Sequence, residues 1–531
     1  MSKVALLAIN AKYIHSSLAV WVIAGGVSKY ALAHHDIKIV ESTIHQENCD
    51  IADEITAFAP DVVGISTYIW NAGKLPELLS LLKEKLPEAI LVLGGPEASH
   101  NAEYWLSKGA DHVLRGEGEY IFPAMLDTLA GARSIPTEAN RPTTPIDPYS
   151  DAYFEALGGR IAYLETSRGC PFLCSFCLSG GSDVVFFPMD AVRAQINKLS
   201  RSGTKTIKLV DRTFNCNANR AYELFEYVIS LDTDCCFHFE VAADLFDGNT
   251  LSLLSNAPAG RIQLEAGLQS YYGPSLKASS RRMDIEKAEM NIRLLLRNNN
   301  IHIHVDLIAG LPYETLSAFQ EGFDRAFALG AHTLQLGFLK LLHGSVIRKQ
   351  AKAMQIQYSP YPPYEVTCSP WLSAGDLHIL KYAENALQHT YNKGRFLSTL
   401  RYVLSVSGLR PFTVFHTLGE AAQHHGMHLA DYALSIYDCF VKLPNVSDKE
   451  LRDCMICDWL GMVKGRNMPQ FLKNPDKHRT QLVKAAENSL GHTVARDETA
   501  VLFSGDGAFV DSNDRDPLTG LYRINKIDFS F

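Results

Sequence analysis

The chain reads as an α/β protein: a doubly wound, Rossmann-like parallel sheet, then a partial (β/α)6 barrel of TIM type, then a mainly helical C-terminal domain. Three observations predict this. Short continuous apolar runs alternate with amphipathic helical patterns through residues 1–135 and again through 161–345, as parallel strands covered by helices on both faces require. An aperiodic stretch rich in proline, GARSIPTEANRPTTPIDPYS, separates the two alternations and predicts a linker over 136–160. From 346 onward longer helical patterns take over, so 346–531 is expected to be an accessory domain.

In the first module, strands are expected at 4–9, 37–40, 62–66, 90–93 and 112–114, with helices near 16–32, 49–58, 75–85, 102–108 and 120–129. Sheets of this kind bind ligands outside the carboxyl ends of their strands. Those ends carry Ser66-Thr67-Tyr68, Gly94-Gly95-Pro96-Glu97 and Arg115-Gly116-Glu117-Gly118-Glu119. Glycine there lets the backbone approach a bulky ligand, and small hydroxyls can bond to it. None of these turns is a GxGxxG fingerprint, so a nicotinamide or flavin dinucleotide is not favoured.

In the second module, strands are expected at 161–166, 207–210, 237–241, 261–266, 302–308 and 333–338, and helices near 191–200, 218–229, 285–298 and 316–329. Polar residues gather at the strand ends: Asp211, Arg212, Glu240, Asp244, Glu265, Gln269 and Asp306. A charge buried in a barrel mouth is costly unless paired, so these carboxylates are candidates either for a site or for pairing with Arg212, Arg168 or Lys208.

The loop after the first barrel strand is Arg168-Gly169-Cys170-Pro171-Phe172-Leu173-Cys174-Ser175-Phe176-Cys177. A closed zinc site wants four ligands, usually as two separated pairs, and here the window offers three. Three thiolates can hold three irons of a 4Fe–4S cluster and leave the fourth open to an exogenous ligand.

Composition bounds the rest. At 531 residues the chain is long enough for about three domains. A net charge of −8 gives no general pull toward nucleic acid or an anionic membrane. No apolar run approaches a membrane span. The opening MSKVALLAIN lacks a signal-peptide pattern, and eleven cysteines without a regular framework suit a reducing compartment. The expected location is cytoplasmic. Cys454 and Cys457 share a helix face with no second pair at zinc spacing, so core packing is the expectation. Tyr361, Tyr364 and Trp371 are expected to pack a loop against the barrel, the alternative being a substrate entrance, and a short strand pair is expected at 501–503 and 521–524.

The Cys-x3-Cys-x-Phe-Cys run resembles the signature of radical S-adenosylmethionine (SAM) enzymes. The phrases NAxYIHSSLA, GISTY, GGPE and GEGE resemble the cobalamin-binding domain that precedes many such modules, and LVDRTFN, FHFEVAADL, QLEAGLQS and HVDLIAGLPYE resemble the radical module itself. The chain thus resembles the cobalamin-binding radical SAM proteins that carry an extra, uncharacterised C-terminal domain. The resemblance implies that Cys170, Cys174 and Cys177 bind a 4Fe–4S cluster. It implies that Phe176, Gly180, Gly181, Glu240 and Gln269 contact SAM, with Ser182 standing where these enzymes usually carry glutamate. It implies that Ser66, Thr67, Tyr68, Gly94, Gly95, Pro96, Gly116, Glu117 and Gly118 surround cobalamin. The Asp-x-His-x-x-Gly motif that places histidine on cobalt is absent, and His15 lacks its aspartate, so cobalamin is expected without a protein histidine on the metal. The implied activity is reductive cleavage of SAM and methylation of an unactivated carbon of an unknown substrate. It requires a reductant such as flavodoxin or ferredoxin. The alternatives are non-methylating oxidation, cyclisation or rearrangement with the same cofactors, and a corrinoid-binding or redox-sensing protein whose cluster is structural.

Overall fold

The computed structural model describes residues 2–131, 144–422, 426–462, 468–474 and 478–528. The chain divides into two compact units. The first comprises Met1–Ala242, Lys277–Arg282 and Leu339–Ser369, and the second Ala243–Leu276, Met283–Phe338 and Pro370–Phe531.

The first unit opens with β1 (Lys3–Asn10), α1 (Leu18–Tyr30), β2 (Asp36–Thr43), α2 (Asn48–Thr56), β3 (Val62–Ser66), α3 (Leu75–Lys85), β4 (Ile90–Gly94), α4 (Pro96–His100), α5 (Ala102–Ser107), β5 (His112–Val113) and α6 (Gly118–Leu129). The strands are parallel in the order β2-β1-β3-β4-β5. Alternate residues of β1 feed opposite cores. Ala5, Leu7 and Ile9 pack with Leu78, Leu79, Leu82 and Trp105 on one face. Val4, Leu6 and Ala8 pack with Val20, Val27, Phe122 and Leu126 on the other. Both faces being apolar explains the continuous runs in the sequence. Helices α1 and α6 meet at Gly26, where a Cβ would lie 2.3 Å from the Glu119 carbonyl oxygen. Strand order reverses between β1 and β3, which opens a crevice at their carboxyl ends.

Residues 136–143 of the expected linker lie outside the described residues. Within its later part stands a helix, α7 (Asp151–Leu157), because the Ser150 hydroxyl caps Tyr153 N–H and left-handed Gly158 ends it. Then come β6 (Ala162–Leu164), β7 (Ser167–Cys170), β8 (Ser182–Phe186), α8 (Met189–Ser200), β9 (Thr206–Leu209), α9 (Ala218–Ser230) and β10 (Cys236–Val241). Strands β6, β9 and β10 run parallel. The β7–β8 pair is an antiparallel hairpin that brackets the cysteine loop. Residues 339–369 complete the unit with a short helix, Val346–Gln350, and a strand pair, Gln357–Tyr358 with Val366–Cys368.

The second unit contains α10 (Gly248–Ser255), β11 (Ile262–Gln269), the start of α11 (Gly273–Ala278), α12 (Ile285–Leu296), β12 (His302–Ala309), α13 (Leu316–Phe327) and β13 (Thr333–Phe338). Strands β11, β12 and β13 are parallel, so all six strands expected for the barrel are present. On β11 and β12 every second residue is buried, while Glu265, Gln269, His304 and Asp306 share the partly exposed alternation. Helices follow, among them Ala374–His389, Pro411–Ala421 and Asp448–Met462. A Cβ at Gly419 would fall 1.9 Å from the Tyr382 carbonyl oxygen, so two of these helices cross with backbones touching. The closing sheet has three strands, Thr499–Val501, Gly507–Arg515 and Tyr522–Ile527, rather than the expected pair. The middle strand escaped prediction because its second half, Asp-Ser-Asn-Asp-Arg, is polar on both faces. No helix among the described residues is long and apolar enough to cross a membrane.

Candidate cluster and corrinoid site

The cysteine loop is held by backbone geometry that only glycine supplies. Gly169 has φ +94°, and a Cβ there would lie 2.2 Å from the Asp183 carbonyl oxygen of the facing strand. A Cβ at Gly180 would press on the Phe172 and Cys174 carbonyls at 3.2 and 3.3 Å, and Gly181 has φ +74°. Gly181 N–H donates to the Phe172 carbonyl at 2.8 Å. Ser182 braces the loop: its oxygen accepts from Cys170 N–H at 3.1 Å, and its hydroxyl donates to the Ser179 carbonyl at 2.9 Å.

Cys170 and Cys174 are buried and Cys177 half-buried, and all three are free thiols. Burial pushes the Cys174 thiol up, while the Arg281 guanidinium draws it back and the neighbouring Cys177 and Cys170 add to the rise. Each sulfur has a polar neighbour. The Thr213 hydroxyl lies 3.5 Å from Cys170 Sγ, Arg281 Nη1 donates to Cys174 Sγ at 3.6 Å, and Ser179 N–H donates to Cys177 Sγ at 3.4 Å. Three thiols of one loop, with polar groups at the sulfurs and a cation beside Cys174, fit a thiolate-held iron–sulfur cluster. Arg281 and Thr213 were not singled out by sequence, because each joins the loop only through the fold.

Two carboxylate centres fasten this loop. Asp211, ending β9, is 1% exposed. It accepts from Thr166 N–H at 3.0 Å and from the Thr166 and Ser167 hydroxyls at 2.7 and 2.5 Å. Burial raises its pKa against those bonds. Arg168 is bound by three carboxylates: Glu165 through Nη2 at 2.8 Å, and Glu119 and Glu117 through Nη1 at 2.5 and 3.4 Å. Burial raises the pKa of Glu119 and of Glu165, and Arg168 opposes both shifts. Glu117 and Glu119 belong to the Gly-Glu-Gly-Glu turn of the first sheet. This guanidinium therefore ties that turn to the residue two places before Cys170.

At the crevice between β1 and β3, the buried Thr67 hydroxyl has no hydrogen-bond partner. A Cβ at Gly94 would meet open space, whereas Gly95, at φ +93°, has its backbone against Thr67, with a Cβ falling 2.7 Å from the Thr67 carbonyl oxygen. Gly116 is left-handed at φ +105°, and Gly118 opens α6. Ser66 donates to the Leu7 carbonyl at 3.3 Å. Tyr68 stacks on Trp70 with ring centres 4.3 Å apart and planes within 6°. An unpartnered hydroxyl, open glycine surface and a stacked aromatic pair fit a large, flat, hydrogen-bonding ligand such as a corrinoid. His15 Nδ1 is 2.6 Å from the Tyr163 hydroxyl, and burial lowers its pKa; it is committed to the strand after the linker, as a local hydrogen-bonding histidine would be.

The remaining SAM candidates belong to both units. Phe176, Gly180 and Gly181 lie in the cysteine loop. Glu240 ends β10, with its carboxylate 3.8 Å from Lys208, the pairing that the sequence left open. Gln269 belongs to the second unit, at a bulge ending β11 with φ +69°. In that unit His304 Nε2 is 2.9 Å from Asp306 Oδ1. Glu314, which closes the HVDLIAGLPYE phrase, is 1% exposed and accepts from the Ser270 hydroxyl at 2.5 Å. Burial pushes its pKa up to about 7. Cys454 and Cys457 are thiols driven up by burial to about 12 and about 11, as packed helix residues are.

The first unit carries both a parallel α/β sheet with a crevice at its strand ends and the cysteine loop. Comparison with known proteins gives the class. Residues 4–126 match the B12 binding domain, 164–326 the radical SAM superfamily, and 352–497 a protein domain of unknown function, DUF4080. The chain is a B12-binding radical SAM protein with a DUF4080 region. Among curated relatives, it is 26% identical over 306 residues to the hopanoid C-3 methylase of Methylococcus capsulatus, covering 52% of this chain and 58% of that one. It is 24% identical over 326 residues to the cobalamin-dependent radical SAM methyltransferase TokK of Streptomyces tokunonensis, covering 53% and 47%. It is 24% identical over 332 residues to the anaerobic magnesium-protoporphyrin IX monomethyl ester cyclase of Cereibacter sphaeroides, covering 55% and 53%. The chain thus spans about half the length of the curated relatives it matches. Among solved structures, the cobalamin-dependent SAM radical enzyme OxsB, with aqua-cobalamin and SAM bound, matches with a TM-score of 0.59 and 14% identity. That match covers 92% of this chain and 81% of OxsB and establishes the shared fold. The domain content calls for a 4Fe–4S cluster, SAM and cobalamin as cofactors.

Proposed function

We propose that this protein is a cobalamin-dependent radical SAM methyltransferase acting on an unactivated carbon. The observation that carries the reading is that the loop bearing Cys170, Cys174 and Cys177 is tied through Arg168 to the Gly-Glu-Gly-Glu turn of the B12 binding domain. When bound, the reduced cluster supplies the electron that cleaves SAM to a carbon radical, and cobalamin supplies the carrier of the transferred methyl group. The chain's own residues do the rest. The three thiols hold the cluster. Arg281, beside Cys174, would offer its guanidinium to the carboxylate of SAM bound at this loop. The Gly180 and Gly181 backbone offers close approach at the same loop, and Glu240 and Gln269 are the further SAM contacts in our reading. The crevice of Ser66–Tyr68, Gly94–Pro96 and Gly116–Gly118 takes the corrinoid, with the Thr67 hydroxyl donating to it. Asp211 and Arg168 hold the cysteine loop against the sheet.

In this reading residues 1–135 form the cobalamin-binding domain, 161–345 the radical barrel and 346–531 the accessory domain. The location is cytoplasmic, and a flavodoxin or ferredoxin supplies the electron. One relative favours a second reading: the magnesium-protoporphyrin ester cyclase bears a name that specifies ring closure rather than methylation. The discriminating experiment incubates the anaerobically reconstituted protein and reductant with methyl-labelled SAM in extract of the source cells. Methyl transfer requires label in a new product together with 5′-deoxyadenosine. Deoxyadenosine without labelled product establishes the non-methylating reading. Neither product, from protein holding cluster and cobalamin, leaves a corrinoid-binding or redox-sensing protein.

A further inference from the structure

The segment 339–369 follows the last barrel strand, yet it packs in the first unit. It touches both halves of the site. At one end, Ile347 N–H donates at 2.9 Å to the carbonyl of Ser175, which stands between Cys174 and Cys177 and is 2% exposed. Ser175 is gripped from a second side, where its N–H donates to the Ser279 carbonyl at 2.9 Å. Ile347 lies in the helix Val346–Gln350, whose Arg348 lies over the rings of Tyr358 and Tyr364, 5.0 and 4.8 Å from their centres. Arg348 Nη1 also donates to the Leu341 carbonyl at 2.5 Å. At the other end, the Tyr364 hydroxyl donates to Glu97 Oε1 at 2.6 Å.

Glu97 is the last residue of Gly94-Gly95-Pro96-Glu97 and is 4% exposed. Its N–H donates to the Thr67 carbonyl at 3.3 Å. Tyr364 is itself buried, and its φ of +57° is a left-handed conformation that a bulky residue adopts only at a cost. Such a conformation persists where the side chain is needed in one place. Beside it, Gly344, at φ +90°, packs on the His100 ring, since a Cβ there would come within 2.4 Å of Nδ1. Asn101 Nδ2 is 3.3 Å from His343 Nε2.

We infer that residues 339–369 are a positioning strap, in which Tyr364 and Glu97 lock the Gly94–Glu97 turn and Ile347 locks the cysteine loop. The strap thereby fixes the corrinoid crevice and the cluster loop in one register. The inference rests on the assignment of corrinoid and cluster to those two loops. Ligand affinity depends on how much ordering remains to be done on binding. A turn freed from its brace therefore binds the corrinoid more weakly, with no contact to the corrinoid removed.

The test uses the full chain with its cluster reconstituted, titrated with hydroxocobalamin. Tyr364→Phe deletes one hydroxyl and should weaken hydroxocobalamin binding about tenfold with iron content unchanged, as expected for loss of a hydrogen bond to a charged group. Glu97→Gln keeps an oxygen acceptor for Tyr364 and should bind within about twofold of wild type. Glu97→Ala should match Tyr364→Phe, and it decides the matter if Tyr364→Phe does not fold. The enhanced relaxation of the cob(II)alamin EPR signal by the reduced cluster should also change in Tyr364→Phe, which a purely stabilising role would not produce. Wild-type affinity and relaxation in Tyr364→Phe, or equal losses in Glu97→Gln and Glu97→Ala, would overturn the strap. Wild-type protein that takes up no hydroxocobalamin would instead overturn the corrinoid assignment, and wild type alone shows that.

Discussion

Arg168→Met isolates the connection between the B12 binding domain and the cysteine loop. Methionine keeps much of the packing of the arginine stem and removes only the guanidinium. Three carboxylates lose their partner: Glu165 at 2.8 Å, Glu119 at 2.5 Å and Glu117 at 3.4 Å. The Glu119 side chain is 7% exposed, those of Glu165 and Glu117 about a fifth, and that of Arg168 a quarter. Removing one partner of a buried pair costs about 3–5 kcal/mol, and this partial exposure argues for the lower end, about 3 kcal/mol at pH 8. The cost depends on pH. Burial already raises the pKa of Glu119 and Glu165, and Arg168 opposes it, so without Arg168 both rise further. A carboxyl whose folded pKa exceeds its unfolded one stabilises the fold below the unfolded value, and that contribution is lost as pH rises through the folded value. The penalty should therefore shrink to about 1–2 kcal/mol at pH 5.5, where the carboxyls can protonate. Urea unfolding of wild type, Arg168→Met and Arg168→Lys at the two pH values measures it. Lysine, a single-point donor, should recover only part of the loss. Equal losses at both pH values, or a loss under about 1 kcal/mol at pH 8, would refute the reasoning.

Gly169→Ala should be among the most damaging single changes at the site. It adds a Cβ 2.2 Å from the Asp183 carbonyl oxygen at a left-handed position. It should cost at least about 2 kcal/mol and lower the iron retained after reconstitution, which an iron assay checks. Glu314, with a folded pKa of about 7, binds a proton in the fold that the unfolded chain gives up near pH 4.5. Glu314 alone should contribute a fall of about 3 kcal/mol in stability as pH rises from 4.5 to 7, so the stability difference between wild type and Glu314→Gln should change by about that amount across the window. Thermal melts of both proteins across that window decide it.

Much of this was legible in the sequence for a physical reason. The apolar runs at β1, β3 and β4 are buried on both faces, and the three thiols lie within eight residues of one another, so both signals are local. What the sequence concealed is made by distant residues. The hairpin of β7 and β8 begins Ser-Arg-Gly-Cys, with no alternation to betray a strand. Arg281 reaches Cys174 from 107 residues away, and Tyr364 reaches Glu97 from 267. The strand-end carboxylates left ligand contact and pairing with Arg212, Arg168 or Lys208 both open, and the Glu240 carboxylate lies 3.8 Å from Lys208. Tyr364 reads in sequence as a loop-packing or entrance-lining aromatic; its hydroxyl finds Glu97 only once the chain has folded back on the first sheet.

The central claim is that Cys170, Cys174 and Cys177 hold the centre at which SAM is cleaved. The direct measurement is reductive formation of 5′-deoxyadenosine from SAM by anaerobically reconstituted wild type, Cys174→Ala and Cys454→Ala. Wild type and Cys454→Ala should form it at similar rates, since Cys454 lies in the helix Asp448–Met462. Cys174→Ala should form none and should bind substoichiometric iron. Cleavage of SAM by Cys174→Ala at the wild-type rate would contradict the account.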